Sequence, residues 1–264
     1  MPRWPEQTFT AGPVALVYVE GPRSGPPLVL LHGMTAAWRA WIPLFAPLAP
    51  RWHVQAVDLR GHGGSGRAER YHLDDYVADL VAFVAQRLDE PATLVGHSLG
   101  ALVALGVAAA RPDRARAAIL VDPPIYLRDG AIALRPEIRA WLELAAQGLG
   151  PDAILAGYRA LRPGDPHAAF VAGMIAQVDP GVARAALDGR LTDGAHLARL
   201  LGQVRSPLTL VHGDWDAGAV VRDEDAAFVA AHCPGAHIVR IPDADHQIPV
   251  SHAARLVEIV DGAA

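Results

Sequence analysis

Apolar and polar positions alternate along the first third of the chain in short blocks, which sets the reading of everything after it. Val14 to Glu20 alternates as a half-buried strand, and Leu28 to Leu31 is a short, wholly apolar run of the kind that fills a central parallel strand. Trp41 to Leu48 predicts a short helix and His53 to Val57 a second parallel strand. Leu73, Tyr76, Val77, Leu80, Val81, Val84 and Leu88 recur at helical spacing, with Asp74 and Asp75 suited to the positive end of the dipole. Thr93 to Val95 is a strand, and an apolar helix follows Ser98. Ala117 to Val121 is a further buried strand, stopped by Asp122-Pro123-Pro124. Strand and helix alternate, so a parallel sheet covered by helices on both faces is expected.

The pattern then changes. From Ile125 to about Val204 there are Ala-, Leu- and Arg-rich helical segments broken by Gly-Pro and Pro-Gly-Asp-Pro, with no strand pattern. That is too long for a loop, and a helical cap inserted between two sheet strands is expected. Strand character resumes at Leu208 to Val211 and at His237 to Ile241. Glu224 to Ala231 and Ser251 to Val260 read as helices. The expected division is a core of residues 1–124 and 205–264 with a cap, or lid, of residues 125–204.

Composition narrows the chemistry. The chain has 264 residues, 23 basic against 28 acidic, a formal charge of −5 and no Arg-rich run, so no nucleic-acid partner is expected. Every basic residue is Arg. Without Lys there is no Schiff-base lysine, no pyridoxal phosphate anchor and no P-loop lysine. Cys233 alone excludes an internal disulfide framework. No apolar run approaches the roughly 20 residues of a membrane helix and the first residues lack an apolar signal core, so a cytoplasmic protein with no membrane partner is expected. Metal-ligand spacing such as His-Glu-x-x-His is absent, and neither metal nor cofactor is expected. Oligomeric state, monomer or homodimer, is not legible.

Candidate chemistry centres on Gly96-His97-Ser98-Leu99-Gly100, between a strand and a helix. A strand that reverses at once into a helix strains its pivot, and only small residues at Gly96 and Gly100 leave room. Ser98 is then the exposed nucleophile, and the Leu99 amide opens the helix where N–H groups lack partners. His32-Gly33-Met34, directly after a central strand, bends the backbone so that the Met34 amide is a second oxyanion donor. Gly61-His62-Gly63-Gly64-Ser65-Gly66 contains a formal Gly-x-Gly-x-x-Gly. It follows a later strand, carries Arg60 in its turn and lies far from the next helix, which argues against dinucleotide binding.

A serine hydroxyl needs a base, and the base needs an acid to fix its tautomer. Loops at the carboxyl ends of parallel strands converge, so Ser98, the loop after Val211 and the loop after Ile241 can meet. Taken with His32-Gly33-Met34, Asp58-x-Arg60-Gly61-His62-Gly63-x-Ser65, Gly213-x-x-Asp216 and Asp245-His246, the chain from Val14 onward resembles the α/β-hydrolase family, in the form with a helical cap. The resemblance implies a doubly wound, mostly parallel α/β sheet, with Ser98 as nucleophile, His246 as base and acid, Asp216 as its carboxylate, and Met34 and Leu99 as oxyanion amides. Asp122, at a strand end from which some relatives supply the acid, is the alternative, and Asp214 a third. His32 and His62 are expected to make structural hydrogen bonds, and His97 to pack beside the serine turn.

A serine rather than an aspartate nucleophile implies acyl chemistry, unlike the epoxide hydrolases and dehalogenases of the fold. Hydrolysis of a small or medium carboxylic ester is the leading expectation, and the partner is a small ester-like molecule. Lactone hydrolysis, carbon-carbon bond hydrolysis and acyl or peroxyacid transfer use the same triad, and a ligand-binding receptor is the reading from another class. Trp38, Tyr126 and Trp215, with Trp41 and Trp141, are the aromatic candidates for pocket walls.

Overall fold

The computed structural model describes residues 4–10, 12–126 and 135–263. Eight strands form one sheet: β1 (Glu6–Thr10), β2 (Ala15–Glu20), β3 (Pro27–Leu31), β4 (His53–Val57), β5 (Ala92–His97), β6 (Ala115–Val121), β7 (Leu208–His212) and β8 (His237–Arg240). Their order is β1-β2-β4-β3-β5-β6-β7-β8. β3 to β8 pair in parallel, as the buried runs predict, while β1 pairs antiparallel with β2 and β2 antiparallel with β4. The sheet is therefore mostly parallel with an antiparallel edge. β1 was not foreseen, because Glu-Gln-Thr-Phe-Thr carries one large apolar side chain and its pattern of exposure is that of an edge strand.

The central strands β3, β4 and β5 are buried along their whole length, which explains why they lack alternation. Helices α2 (Leu73–Arg87), α3 (Leu99–Ala110) and α9 (Asp223–His232) contribute side chains to the apolar layer on one face. A 3-10 turn (Trp38–Trp41), α1 (Ile42–Leu48), α10 (Ile248–Ser251) and α11 (Ala253–Gly262) contribute to the layer on the other. Trp41 is fully buried in that second layer, so it is core and not pocket wall.

Between β6 and β7 the described residues form helices α4 (Pro136–Ala146), α5 (Pro151–Leu161), α6 (Ala168–Ile175), α7 (Pro180–Leu187) and α8 (Leu197–Gln203), and no strand. Helix α4 packs on α5 and α7, and α5 on α6; α8 instead lies against α3 and α9 of the sheet layers. Among the described residues no helix is long and apolar enough to cross a membrane.

Candidate active site

Three strand ends build the site. At the end of β5 the chain turns on Ser98, whose φ of 53° and ψ of −116° lie where a non-glycine residue is strained, at a cost of about 1–3 kcal/mol. The Ser98 amide donates to the Val121 carbonyl of β6 at 2.9 Å. A Cβ on Gly96 would lie 2.1 Å from the Gly100 carbonyl oxygen, and one on Gly100 only 2.2 Å from that of Leu31, so both glycines are dictated by contact. This tight turn leaves Leu99 as the first residue of α3. Its amide, like that of Met34, has no acceptor among the described residues.

The loop that carries Met34 is held from beneath by the Asp58–Ser65 loop. The His32 Nδ1–H donates to the Gly33 carbonyl at 2.7 Å, and its Nε2 accepts from the Leu59 amide at 3.0 Å. That pattern requires the neutral ring, and burial lowers its pKa to about 4. The buried Asp58 carboxylate accepts from the Trp38 amide at 2.6 Å and the Gly64 amide at 2.9 Å. Its pKa is raised, the desolvation of a buried charge outweighing those two bonds. His62 sets its ring nitrogens 2.8 Å from the Arg60 carbonyl and 2.7 Å from the Met34 carbonyl. Burial, with the neighbouring His32 second, holds this ring neutral as well, with a pKa of about 4, so it donates to one of the two carbonyls at a time. Arg60 is locked to α2 through a two-pronged ion pair with Asp79, at 2.6 and 2.7 Å. The loop that resembled a dinucleotide fingerprint is thus a brace for the Met34 backbone.

His246 follows β8, and its carboxylate partner differs from the one expected. His246 Nδ1 lies 2.7 Å from Asp122 Oδ2, both side chains being buried. Asp122 ends β6 with a φ of 45°, which turns its carboxylate off the strand. Oδ2 also accepts from the Val220 amide at 2.9 Å, and Oδ1 from the Val221 amide at 3.2 Å. The loop after β7 therefore delivers amides to the site and no carboxylate. Asp216 stands exposed on a 3-10 turn (Trp215–Ala217) with no bond to His246. Asp214 is engaged outside, with Arg240 at 2.5 Å and the Asp243 amide at 2.9 Å. The spacing Gly213-x-x-Asp216 did not foretell this, since Ala219 to Val221 turn back toward β6 only after Asp216 has passed.

Ser98 and His246 together line two small cavities, of about 50 and about 30 Å3. The first is walled by Ala36, Ala40, Pro249 and Val250, and by Ile138, Trp141, Leu142, Val171 and Met174 from α4 and α6. The second is walled by Pro124, Tyr126, Ile138, Ala186, Leu191 and Val220. Met34 borders both. Among the described residues Ser98 Oγ forms no hydrogen bond, and catalytic bonds are often loose before substrate arrives. A polar opening bordered by Arg135, Arg162, Asp216, Asp245 and His246 leads outward.

Of the aromatic candidates, Tyr126 and Trp141 are cavity walls. Trp38 is not: it stacks on Phe45 with ring centroids 6.0 Å apart and bonds Glu6 on the outer side. Trp215 is not either, being 42% exposed, with the Arg135 guanidinium 4.3 Å above its ring. Thr35, Gln247 and the α4 and α6 residues Ile138 and Met174 were missed; the first two adjoin predicted site residues, whereas nothing in the helix pattern separates the last two from core. Among the described residues no group of His, Cys, Asp and Glu side chains is placed to hold a metal ion.

A strained serine between β5 and α3, a histidine after the last strand and two unsatisfied amides at one sheet edge define a serine hydrolase-like site on a doubly wound sheet. The chain belongs to the alpha/beta hydrolase fold family, whose model matches residues 26–253. It is 39% identical over 169 residues to lipase LipV of Mycobacterium tuberculosis, a match covering 64% of this chain and 59% of that protein. It is 31% identical to the pimeloyl-[acyl-carrier protein] methyl ester esterase of Chromobacterium violaceum, over 89% of this chain and 93% of that one. Among solved structures, N-formylmaleamic acid deformylase of Pseudomonas putida S16 superposes with a TM-score of 0.80 at 26% identity, covering 97% of this chain and all of the other.

Proposed function

We propose that the protein hydrolyses a small or medium carboxylic ester through an acyl intermediate on Ser98, with Asp122 and not Asp216 as the triad acid. The observation that carries the reading is the chain of contacts from Asp122 through His246 to the cavity bordered by Ser98. Asp122 holds the Nδ1 proton of His246, which leaves Nε2 as the base. Nε2 takes the proton of Ser98 as Oγ attacks the ester carbonyl, and the oxygen that gains charge is met by the Met34 and Leu99 amides. The protonated imidazole then gives its proton to the departing alkoxide. Water repeats the sequence on the acyl-serine, and free acid leaves.

The His32 bond to the Gly33 carbonyl supports this role for Met34. In a trans peptide the N–H points opposite to the C=O, so fixing that carbonyl aims the Met34 amide away from His32. The residue 136–187 helices are read as the cap that roofs the site, since α4 and α6 supply one cavity's outer wall. The names of the relatives, a lipase and a methyl ester esterase, support ester over other acyl substrates.

A fluorophosphonate tests the reading. It should label the parent protein once, at Ser98, and abolish turnover of an activated ester such as 4-nitrophenyl butyrate, whereas Ser98→Ala should neither label nor turn over. Labelling elsewhere, or esterase activity that survives Ser98→Ala, refutes it.

A further inference from the structure

The cavity beneath α4 and α6 is walled mostly by apolar side chains; besides the reacting Ser98 and His246 it is lined by the Thr35 hydroxyl, the Gln247 amide and the ring of His97. None of the free ends of these side chains has a hydrogen-bond partner among the described residues, and His97 is 6% exposed. The orientation of His97 is fixed. Its Nε2 lies 2.7 Å from the His246 backbone carbonyl, so Nε2 carries the proton. Burial, followed by the nearby His246, holds its pKa well below the ordinary value, and a neutral ring with Nε2 protonated has a bare lone pair on Nδ1.

That lone pair sits next to the reacting centre. A Cβ placed on Gly33 would lie 3.0 Å from His97 Nδ1 and 3.2 Å from Ser98 Cβ, so the acceptor and the side chain that carries the nucleophile pack side by side against the bare Cα of Gly33. Gly33 also precedes the Met34 amide, which places the scissile carbonyl alongside. We propose that His97 Nδ1 is a recognition group that accepts a hydrogen bond from a hydroxyl or amide N–H on the acyl part of the substrate, one or two carbons from the carbonyl. Thr35 and Gln247 line the same cavity.

The preferred substrates are therefore esters of hydroxy- or acylamino-substituted short acids. This rests on the ester reading above and adds the acyl group to it. A buried acceptor left bare by an unsubstituted acyl chain costs binding in the transition state, since its water is displaced and not replaced.

The test compares three ethyl esters by proton release: 2-hydroxybutyrate, 2-methoxybutyrate and butyrate. The methoxy ester keeps most of the electron withdrawal and loses the donor, so the hydroxy-to-methoxy ratio of kcat/KM isolates the hydrogen bond. A ratio of roughly three- to tenfold or more is expected in the parent, the worth of one neutral bond; the 3-substituted pair is run alongside for the longer reach. His97→Asn keeps an acceptor near the Nδ1 position and should retain the ratio. His97→Gln keeps a donor toward the His246 carbonyl and has no Nδ1 equivalent, so its ratio should fall to about one. A parent ratio near one for both pairs overturns the proposal, as does a ratio unchanged in His97→Gln, which would mark His97 as a prop for His246 alone. Butyrate and phosphonate reactivity stay as the separate gauge of the ester reading.

Discussion

His246 Nδ1 and Asp122 Oδ2 stand 2.7 Å apart although 124 residues separate them in sequence. Their contact crosses from the end of β6 to the loop after β8, and it passes over β7. Removing its charge without its shape isolates its part in the chemistry. Asp122→Asn should cost on the order of 10^4 in kcat on an activated ester, since the amide can hold the wrong tautomer of the imidazole. Asp216→Asn should stay within about twofold of the parent. Steady-state kinetics of the two variants at one pH decides between them, and a dead Asp216→Asn with an active Asp122→Asn would return the acid to β7.

The glycines of the serine turn carry a structural prediction. In Gly100→Ala the new Cβ meets the Leu31 carbonyl, which is main chain and cannot swing aside. The variant should lose about 1–3 kcal/mol of stability and nearly all turnover, because α3 and the β3 end that leads into Met34 are forced apart. Denaturant unfolding with activity on the same samples checks both. Full activity with parent stability would show that the helix can shift freely.

Acid sensitivity follows from His32. Unfolded, its ring titrates near about 6.5; folded, its pKa is about 4. Between those values the unfolded chain binds a proton that the folded chain refuses, so stability falls as the pH drops from 6.5 toward 4 and is unaffected by this group above that window. A shift of this size corresponds to roughly 3 kcal/mol, and His62, also at about 4, adds in the same direction. Urea unfolding measured at half-unit steps should show this slope, reduced in His32→Asn. A flat profile would contradict a neutral, buried ring.

Cavity shape gives the fourth expectation. Trp141 lines the larger cavity from α4 and is 6% exposed, with its ring 6.3 Å from that of Tyr158. Trp141→Leu should lengthen the preferred acyl chain by two or more carbons in a panel of activated esters. An unchanged chain-length profile would place the acyl group in the other cavity.

Much of this was legible in the chain because local pattern and contact agree there. His53–Val57 is a strand at the bounds expected from the sequence, and the serine turn is written in the two glycines that contact demands. The parallel sheet and the family follow from such elements. The carboxylate that meets His246 was not legible, because nothing local distinguishes Asp122 from Asp216: each follows a strand, and Asp216 has the more suggestive spacing. What decides is a positive φ at Asp122 and two amides arriving from Val220 and Val221, which are tertiary facts. Trp38 and Trp215 failed as wall residues for a similar reason, since an aromatic side chain says that it packs and not on which side of a loop.

With His246 paired to Asp122 at the end of β6, the turn from Asp214 to Gly218 sets no carboxylate against the imidazole. Only the two amides that follow it are bound to the carboxylate, and they belong to the backbone, which any sequence supplies. Asp216, Ala217 and Gly218 border the polar opening beside His246 while holding none of its reacting atoms. Gly218, with a φ of 114°, must stay glycine to keep the turn that leads to the Val220 and Val221 amides, so a library confined to Asp216 and Ala217 would explore which molecules enter at little risk to catalysis.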